Sequence, residues 1–153
     1  MLRISKLTDY GIVLMAHLAR KGDEALVSAP ELATATRIAP PTVSKLLKTL
    51  GRTGLLTSTR GAHGGYRLAR PAGDIDISEI IEALEGPLAM TECADERVSS
   101  CEEQTNCPLH SHWNHINLAV KTALRSISLA QLASPIPQYN LVGKTHSVEP
   151  IDA

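Results

Sequence analysis

A mainly α-helical chain carrying one small β-hairpin is predicted by three observations. Apolar residues recur at helical spacing in four stretches, a glycine-rich turn between two runs of strand formers occurs once, and the 153 residues hold a 43% apolar share with no Phe and one Trp. Such a length suits one domain plus an appendage, and its core must be built from Leu, Ile, Val and Ala.

Leu7, Tyr10, Gly11, Leu14 and Leu18 recur at helical spacing, so a helix is expected over residues 7–20, ending near Lys21-Gly22. Ser28-Ala-Pro-Glu31 has capping-box spacing with Pro just inside the start, which opens a short second helix through Ala35 or Arg37. Ile38-Ala39-Pro40 breaks it. Pro41 then suits the first turn of a third helix running to about Thr53, with Gly54 as its stop. At about 100° per residue, Val43, Leu46, Leu47 and Leu50 fall on one stripe of that helix, and Pro41, Ser44, Lys45, Lys48 and Arg52 on the opposite side. Leu55–Thr59 and Tyr66–Ala69 read as strands around the turn Arg60-Gly-Ala-His63-Gly-Gly65.

A hairpin directly after a helix with an exposed basic and hydroxyl face makes this half of the chain a winged helix-turn-helix, which presents its third helix to the major groove of double-stranded DNA. The expected DNA contacts are Thr42, Ser44, Lys45, Lys48 and Arg52 on the helix, with Arg60, His63 and Arg67 on the wing. Arg60 is suited to a narrow, electronegative minor groove.

Asp76-Ile-Ser-Glu79 has N-cap spacing, and Ile77, Ile80, Ile81 and Leu84 form one apolar face before Gly86-Pro87 ends that helix. Pro108 begins the longest periodic segment, up to about Ala133, stopped by Ser134-Pro135. Within it Leu109, Trp113, Ile116, Val120, Ala123, Ile127 and Ala130 alternate in steps of four and three, a heptad seam that predicts a long dimerisation helix. A two-fold homodimer would set two recognition helices on successive turns of a palindromic operator. The expected division is a DNA-binding domain with its linker helix over 1–86, a cysteine-rich loop over 87–107, the dimerisation helix over 108–134 and a disordered tail over 135–153.

All three cysteines, Cys93, Cys101 and Cys107, lie in one stretch, and between the first and last of them only Val98 is an aliphatic residue larger than Ala. Such a polar loop is no piece of hydrophobic core, so free cysteines acting as small buried hydrophobes do not fit it. An odd cysteine count without a secretory signal argues against a disulfide framework. Structural zinc favours Cys pairs two to four residues apart, whereas the gaps here are seven and five residues. Wider gaps let a loop wrap an iron-sulfur cluster, which takes four ligands and accepts His in place of Cys. His110, three residues after Cys107 at a helix start, can fill the fourth place. A cluster is the first choice on these residues and zinc the second.

The formal net charge of -1 conceals a segregation. From Leu32 to Gly73 there are seven basic residues and no acid, and from Asp74 to Leu109 ten acids and one base, Arg97. A basic surface for a polyanion is implied, with a separate task for the acidic segment. No apolar run approaches the ~18 residues of a membrane-spanning helix, and the basic N-terminus is not followed by a signal-peptide core, so a cytoplasmic protein is expected. Three thiolates and His110 could also cage a catalytic metal. Paired carboxylates with a base are missing, as is a Gly-rich phosphate loop beside a parallel strand, so an enzyme is not expected.

The opening Met1-Leu-Arg-Ile-Ser-Lys-Leu-Thr-Asp-Tyr10-Gly, the wing string Arg60-Gly-Ala-His-Gly-Gly-Tyr-Arg-Leu-Ala-Arg-Pro71, the Ile77 to Gly86 helix and the three cysteines together resemble the bacterial IscR and NsrR type of winged-helix iron-sulfur regulators over residues 1 to about 133. Within it the chain looks most like the branch regulating SUF cluster assembly. The resemblance implies a cluster held by Cys93, Cys101 and Cys107, a DNA affinity that changes on cluster loss, and repression of cluster-assembly genes. Two fourth ligands are implied. His110 resembles IscR-like members, which commonly carry a 2Fe-2S cluster, and Asp9 resembles NsrR-like members, in which a first-helix carboxylate reaches a 4Fe-4S cluster. The 2Fe-2S form is favoured. The alternatives are a nitric-oxide-sensing repressor of the same fold and a zinc or thiol redox-responsive repressor. The chain departs from the family in its first cysteine gap, seven residues instead of the more frequent five, and in Thr42-Val43-Ser44 where many relatives carry Tyr-Leu-Glu.

Overall fold

The structure is a computed structural model that describes residues 3–91, 94 and 107–135. Helix α1 (Lys6–Lys21) starts at Ser5, whose hydroxyl accepts the Thr8 N–H, and buries Thr8, Gly11, Leu14, Met15, Ala16 and Leu18. Helix α2 (Ala29–Thr36) starts at the capping box read from the sequence: Ser28 Oγ accepts the Glu31 N–H while the Glu31 carboxylate accepts the Ser28 N–H. These reciprocal bonds satisfy two donors that a helix start otherwise leaves orphaned. They also hold the Glu31 carboxyl below the usual range, the Ser28 hydroxyl contributing most.

Arg37, in the left-handed region at φ 57°, turns the chain into α3 (Pro40–Arg52). Pro40 and Pro41 have no N–H to satisfy, and the Thr42 and Val43 N–H groups both donate to the Ala39 carbonyl. The recognition helix therefore starts without a capping side chain.

Strands β1 (Leu56–Thr59) and β2 (Gly65–Leu68) pair antiparallel, with Leu56 opposite Leu68, Thr57 opposite Arg67 and Thr59 opposite Gly65. The wing has a third rung that the strand signals did not indicate. Val27 donates its N–H to the Tyr66 carbonyl at 3.0 Å and accepts the Tyr66 N–H at 2.9 Å. The two backbones approach so closely that a Cβ on Gly65 would sit 2.8 Å from the Val27 carbonyl carbon and oxygen. A Cβ on Gly64 would sit 2.2 Å from the Thr59 carbonyl oxygen. Both glycines, expected only as turn residues, are required for lack of space.

A short 3-10 turn (Ala72–Asp74) leads to α4 (Ile77–Glu85), which starts at a second capping box, Asp76 with Glu79. Helix α4 packs on α1 and α3, and Leu14, Leu32, Val43, Leu47, Leu50, Ile75 and Ile80 are fully buried in the shared core. Each such aliphatic side chain contributes roughly 1.5–3 kcal/mol. The far end of α4 is clasped to the start of α1, where Glu85 accepts the Ser5 N–H at 2.7 Å. The Thr8 hydroxyl and then that backbone bond hold the Glu85 carboxyl below the usual range.

The segment expected as one dimerisation helix over 108–134 is two helices, α5 (His110–Arg125) and α6 (Leu129–Ala133). Two forces break it. Ser128 forms a capping box with Gln131, and the chain at the junction is stitched to the segment before α4: Ile77 N–H donates to the Ile127 carbonyl and Leu129 N–H to the Ile75 carbonyl at 2.7 Å. Leu129 is thereby fully buried in the core and α6 lies against α1. Ala130, expected on the dimer seam, packs against the hydrophobic core of the chain instead. Beyond Pro135, the tail expected to be disordered lies outside the described residues. No helix among the described residues is long and apolar enough to cross a membrane.

Candidate nucleic-acid interface and cysteine loop

Helix α3 divides as its sequence dictates. Val43, Leu46, Leu47 and Leu50 are buried, Ser44, Lys45, Lys48 and Arg52 are exposed, Thr42 is half-buried, and the helix carries no acid. A cleft separates α3 from the wing. Ser44 and Lys48 line it from the helix, and Ser58, Thr59, Arg60 and Tyr66 from the hairpin. Ser28, the cap of α2, closes its far side. Tyr66 and Ser28 were not expected here; the alternation of Ser58 with Thr57 was the available signal, because register partners share a face. His63 is exposed in the turn of the wing.

Arg67 stands apart from this cleft. It alternates with Tyr66 onto the other face of the hairpin, where its guanidinium reaches Glu24 at 2.7 Å and the Thr57 hydroxyl at 3.4 Å. Arg70 is held by Glu79 at 2.5 Å and by the Asp74 carbonyl at 3.1 Å. These are solvent-screened pairs of small worth, but each gives a wing arginine a carboxylate partner. The basic footprint facing the cleft is thus narrower than the charge run in the sequence, and Lys48 and Arg60 are its centre.

Residues 4–135 match the family model Rrf2, described as an iron-dependent transcriptional regulator. The chain belongs to the Rrf2 family. It is 33% identical over 131 residues to the protein Rrf2 of Nitratidesulfovibrio vulgaris, covering 86% of this chain and 87% of that one. Among solved structures it is similar to CymR, the global cysteine regulator of Bacillus subtilis, with a TM-score of 0.68 and 35% identity over 87% of this chain and 97% of the other. It is likewise similar to IscR of T. potens, with a TM-score of 0.64 and 31% identity over 86% of this chain and 85% of the other. As an Rrf2 protein the chain is a DNA-binding transcriptional regulator and not an enzyme.

In this Rrf2 chain the cysteine loop adjoins the start of α5. Cys107 is a half-buried free thiol, and its carbonyl accepts the His110 N–H at 3.3 Å, so the two residues sit one turn apart at the mouth of the loop. Cys93 and Cys101 lie outside the described residues. Asp9 is exposed in the first turn of α1. Among the described residues of the single chain no three of His, Cys, Asp and Glu converge, and Asp9 stands apart from Cys107 and His110 within it. The donor chemistry of three thiols and one imidazole fits a cluster, and the turn that pairs Cys107 with His110 suits two ligands of one site.

Proposed function

We propose that the chain is a repressor that responds to iron-sulfur cluster status and controls cluster-assembly genes from a palindromic operator. The observation that carries this reading is the pairing of Cys107 with His110 at the start of α5, in a chain whose family is described as iron-dependent. Cys93, Cys101, Cys107 and His110 hold a 2Fe-2S cluster in this reading, with Asp9 the alternative fourth ligand for a 4Fe-4S cluster. When bound, the cluster supplies a crosslink labile to oxidants, nitric oxide and iron shortage. The loop's own acids supply the rest: Glu92, Asp95, Glu96, Glu102 and Glu103 repel phosphates wherever they are free to approach DNA. A two-fold homodimer is supported by exposed apolar side chains of the expected seam: Leu109, just before α5, and Ile116 within it are 53% and 42% exposed.

The test is anaerobic purification followed by an absorption spectrum with iron and sulfide analysis. Visible absorbance with stoichiometric iron and sulfide is expected, and a colourless protein with stoichiometric zinc overturns the reading. The likeness to CymR, a cysteine regulator, supports a second reading, in which the Cys107 thiol itself is the redox sensor of a metal-free repressor. That reading requires the colourless, metal-free outcome.

Operator contacts in this proposal divide by chemistry. Lys48 and Arg52 lie further along α3 and meet phosphates, while Ser44 and Lys45 meet base edges and Arg60 the flanking minor groove. Lys48→Ala is expected to weaken binding to all sequences and to lower the salt slope by about 0.9. Lys45→Ala instead relaxes preference at one base pair per half-site by roughly 1–3 kcal/mol. Binding-site selection across a salt series checks both; equal losses with an unchanged preferred sequence reduce α3 to an electrostatic patch.

A further inference from the structure

Asn117 is the one buried residue of α5 among those described, in a helix whose other polar side chains are at least partly exposed. It sits at 8% exposure beside an apolar cleft lined by Ile81, Leu88, Met90, Val120 and Leu124. Its side-chain oxygen accepts the Met90 N–H at 3.2 Å. Met90 belongs to the stem that leads from α4 into the cysteine loop, and one turn further along α5 Lys121 pairs with Glu82 of α4 at 3.4 Å. The chain at Met90, which leads toward the cysteines, is therefore held to the same helix that starts beside Cys107 and His110.

We propose that Asn117 is a positioning residue for the ligand loop: its bond to Met90 sets the point on α5 from which the chain carrying Cys93 departs. The proposal rests on the ligand set proposed above. Covalent geometry gives it content. Cys93 follows Met90 by three residues, a reach of at most about 11 Å, and the run from Asn117 back to His110 is about 10 Å along the helix at 1.5 Å per residue. The reach from the anchor is thus comparable with the length of α5 between Asn117 and His110. Buried and accepting a backbone N–H, the Asn117 amide cannot be replaced by an apolar group without leaving that donor unsatisfied.

The test compares wild type with Asn117→Leu, which keeps the volume and removes the acceptor, and Asn117→Asp, which keeps an acceptor. Asn117→Ala replaces the Leu variant should that one fail to fold. Full-length protein without metal is treated with trypsin, whose one site between Asp74 and Leu109 follows Arg97. Anaerobically purified protein is separately challenged with a chelator while its visible absorbance is followed. The Leu variant is expected to be cut at Arg97 about fivefold faster and to lose colour about fivefold faster, the equivalent of one net hydrogen bond of ~1 kcal/mol, with the Asp variant near wild type. Cleavage of the Leu variant at the wild-type rate overturns the anchor whatever the metal content. Faster cleavage with unchanged colour loss overturns the ligand-positioning role. A colourless wild type overturns the ligand set, and the metal-free proteolysis still decides the anchor.

Discussion

Gly65→Val detaches the wing from the head and removes most of the DNA affinity. Its Cβ would meet the Val27 backbone at 2.8 to 3.0 Å, and backbone cannot swing aside as a side chain can. The Val27 to Tyr66 bridge must open, at about 1 kcal/mol for each of its two hydrogen bonds, and displacement of the packed neighbours adds roughly 1–3 kcal/mol. Against a typical total of about 5–15 kcal/mol, this is a large fraction. A fall in Tm of about 10 °C or more is expected from thermal unfolding, together with a loss of operator affinity, because Arg60 and Tyr66 leave the cleft that they share with Lys48. Gly73→Ala, where a Cβ meets nothing within 4 Å, is the control and should shift stability by no more than about 0.5 kcal/mol. An unchanged Tm in Gly65→Val would mean that the wing is not anchored through Val27.

Cys107→Ala is expected to abolish the visible absorbance of the anaerobic protein while leaving helicity and the stability of the metal-free form nearly unchanged. Cys107 is half-buried at a loop margin and absent from the hydrophobic core, so its thiol contributes little packing. A cluster left with three ligands must recruit a fourth or dissociate. His110→Ala should deplete or alter a 2Fe-2S spectrum, with Asp9→Ala mild. The opposite pattern with a 4Fe-4S spectrum favours the nitric-oxide-sensing alternative. Retention of the wild-type spectrum in Cys107→Ala removes that thiol from the ligand set.

Local signals account for what the sequence made legible. Ser28 with Glu31 stands in the structure as the capping box its spacing indicates, and Asp76, read as an N-cap, forms a second one with Glu79 three residues on. The stripe Val43, Leu46, Leu47 and Leu50 needed only helical geometry. Ser128 with Gln131 is the same signal, but it lies inside the heptad spacing of Leu109 to Ala130, which masks it. Periodicity says which residues share a face but not what covers that face, and Leu129, off the seam, turned out to be the core residue. The remaining misses are long-range. Val27 forms a single-residue rung with no strand run to betray it, Arg67 finds Glu24 across 43 residues, and Asn117 finds Met90 across 27. Such pairs depend on how the elements are stacked, which no local pattern encodes.

The stitch between the α5–α6 junction and residues 75–77 fixes one end of α5, whose middle is held to α4 and the chain beyond it by Lys121 and Asn117. Sixteen residues at 1.5 Å each give an arm of about 24 Å, pinned at one end by the Ile127 and Leu129 bonds and bearing Cys107 and His110 at the other. Under the proposed function, the break in the helix is the point at which α5 is joined to the chain that carries α4, and α4 in turn packs on α3.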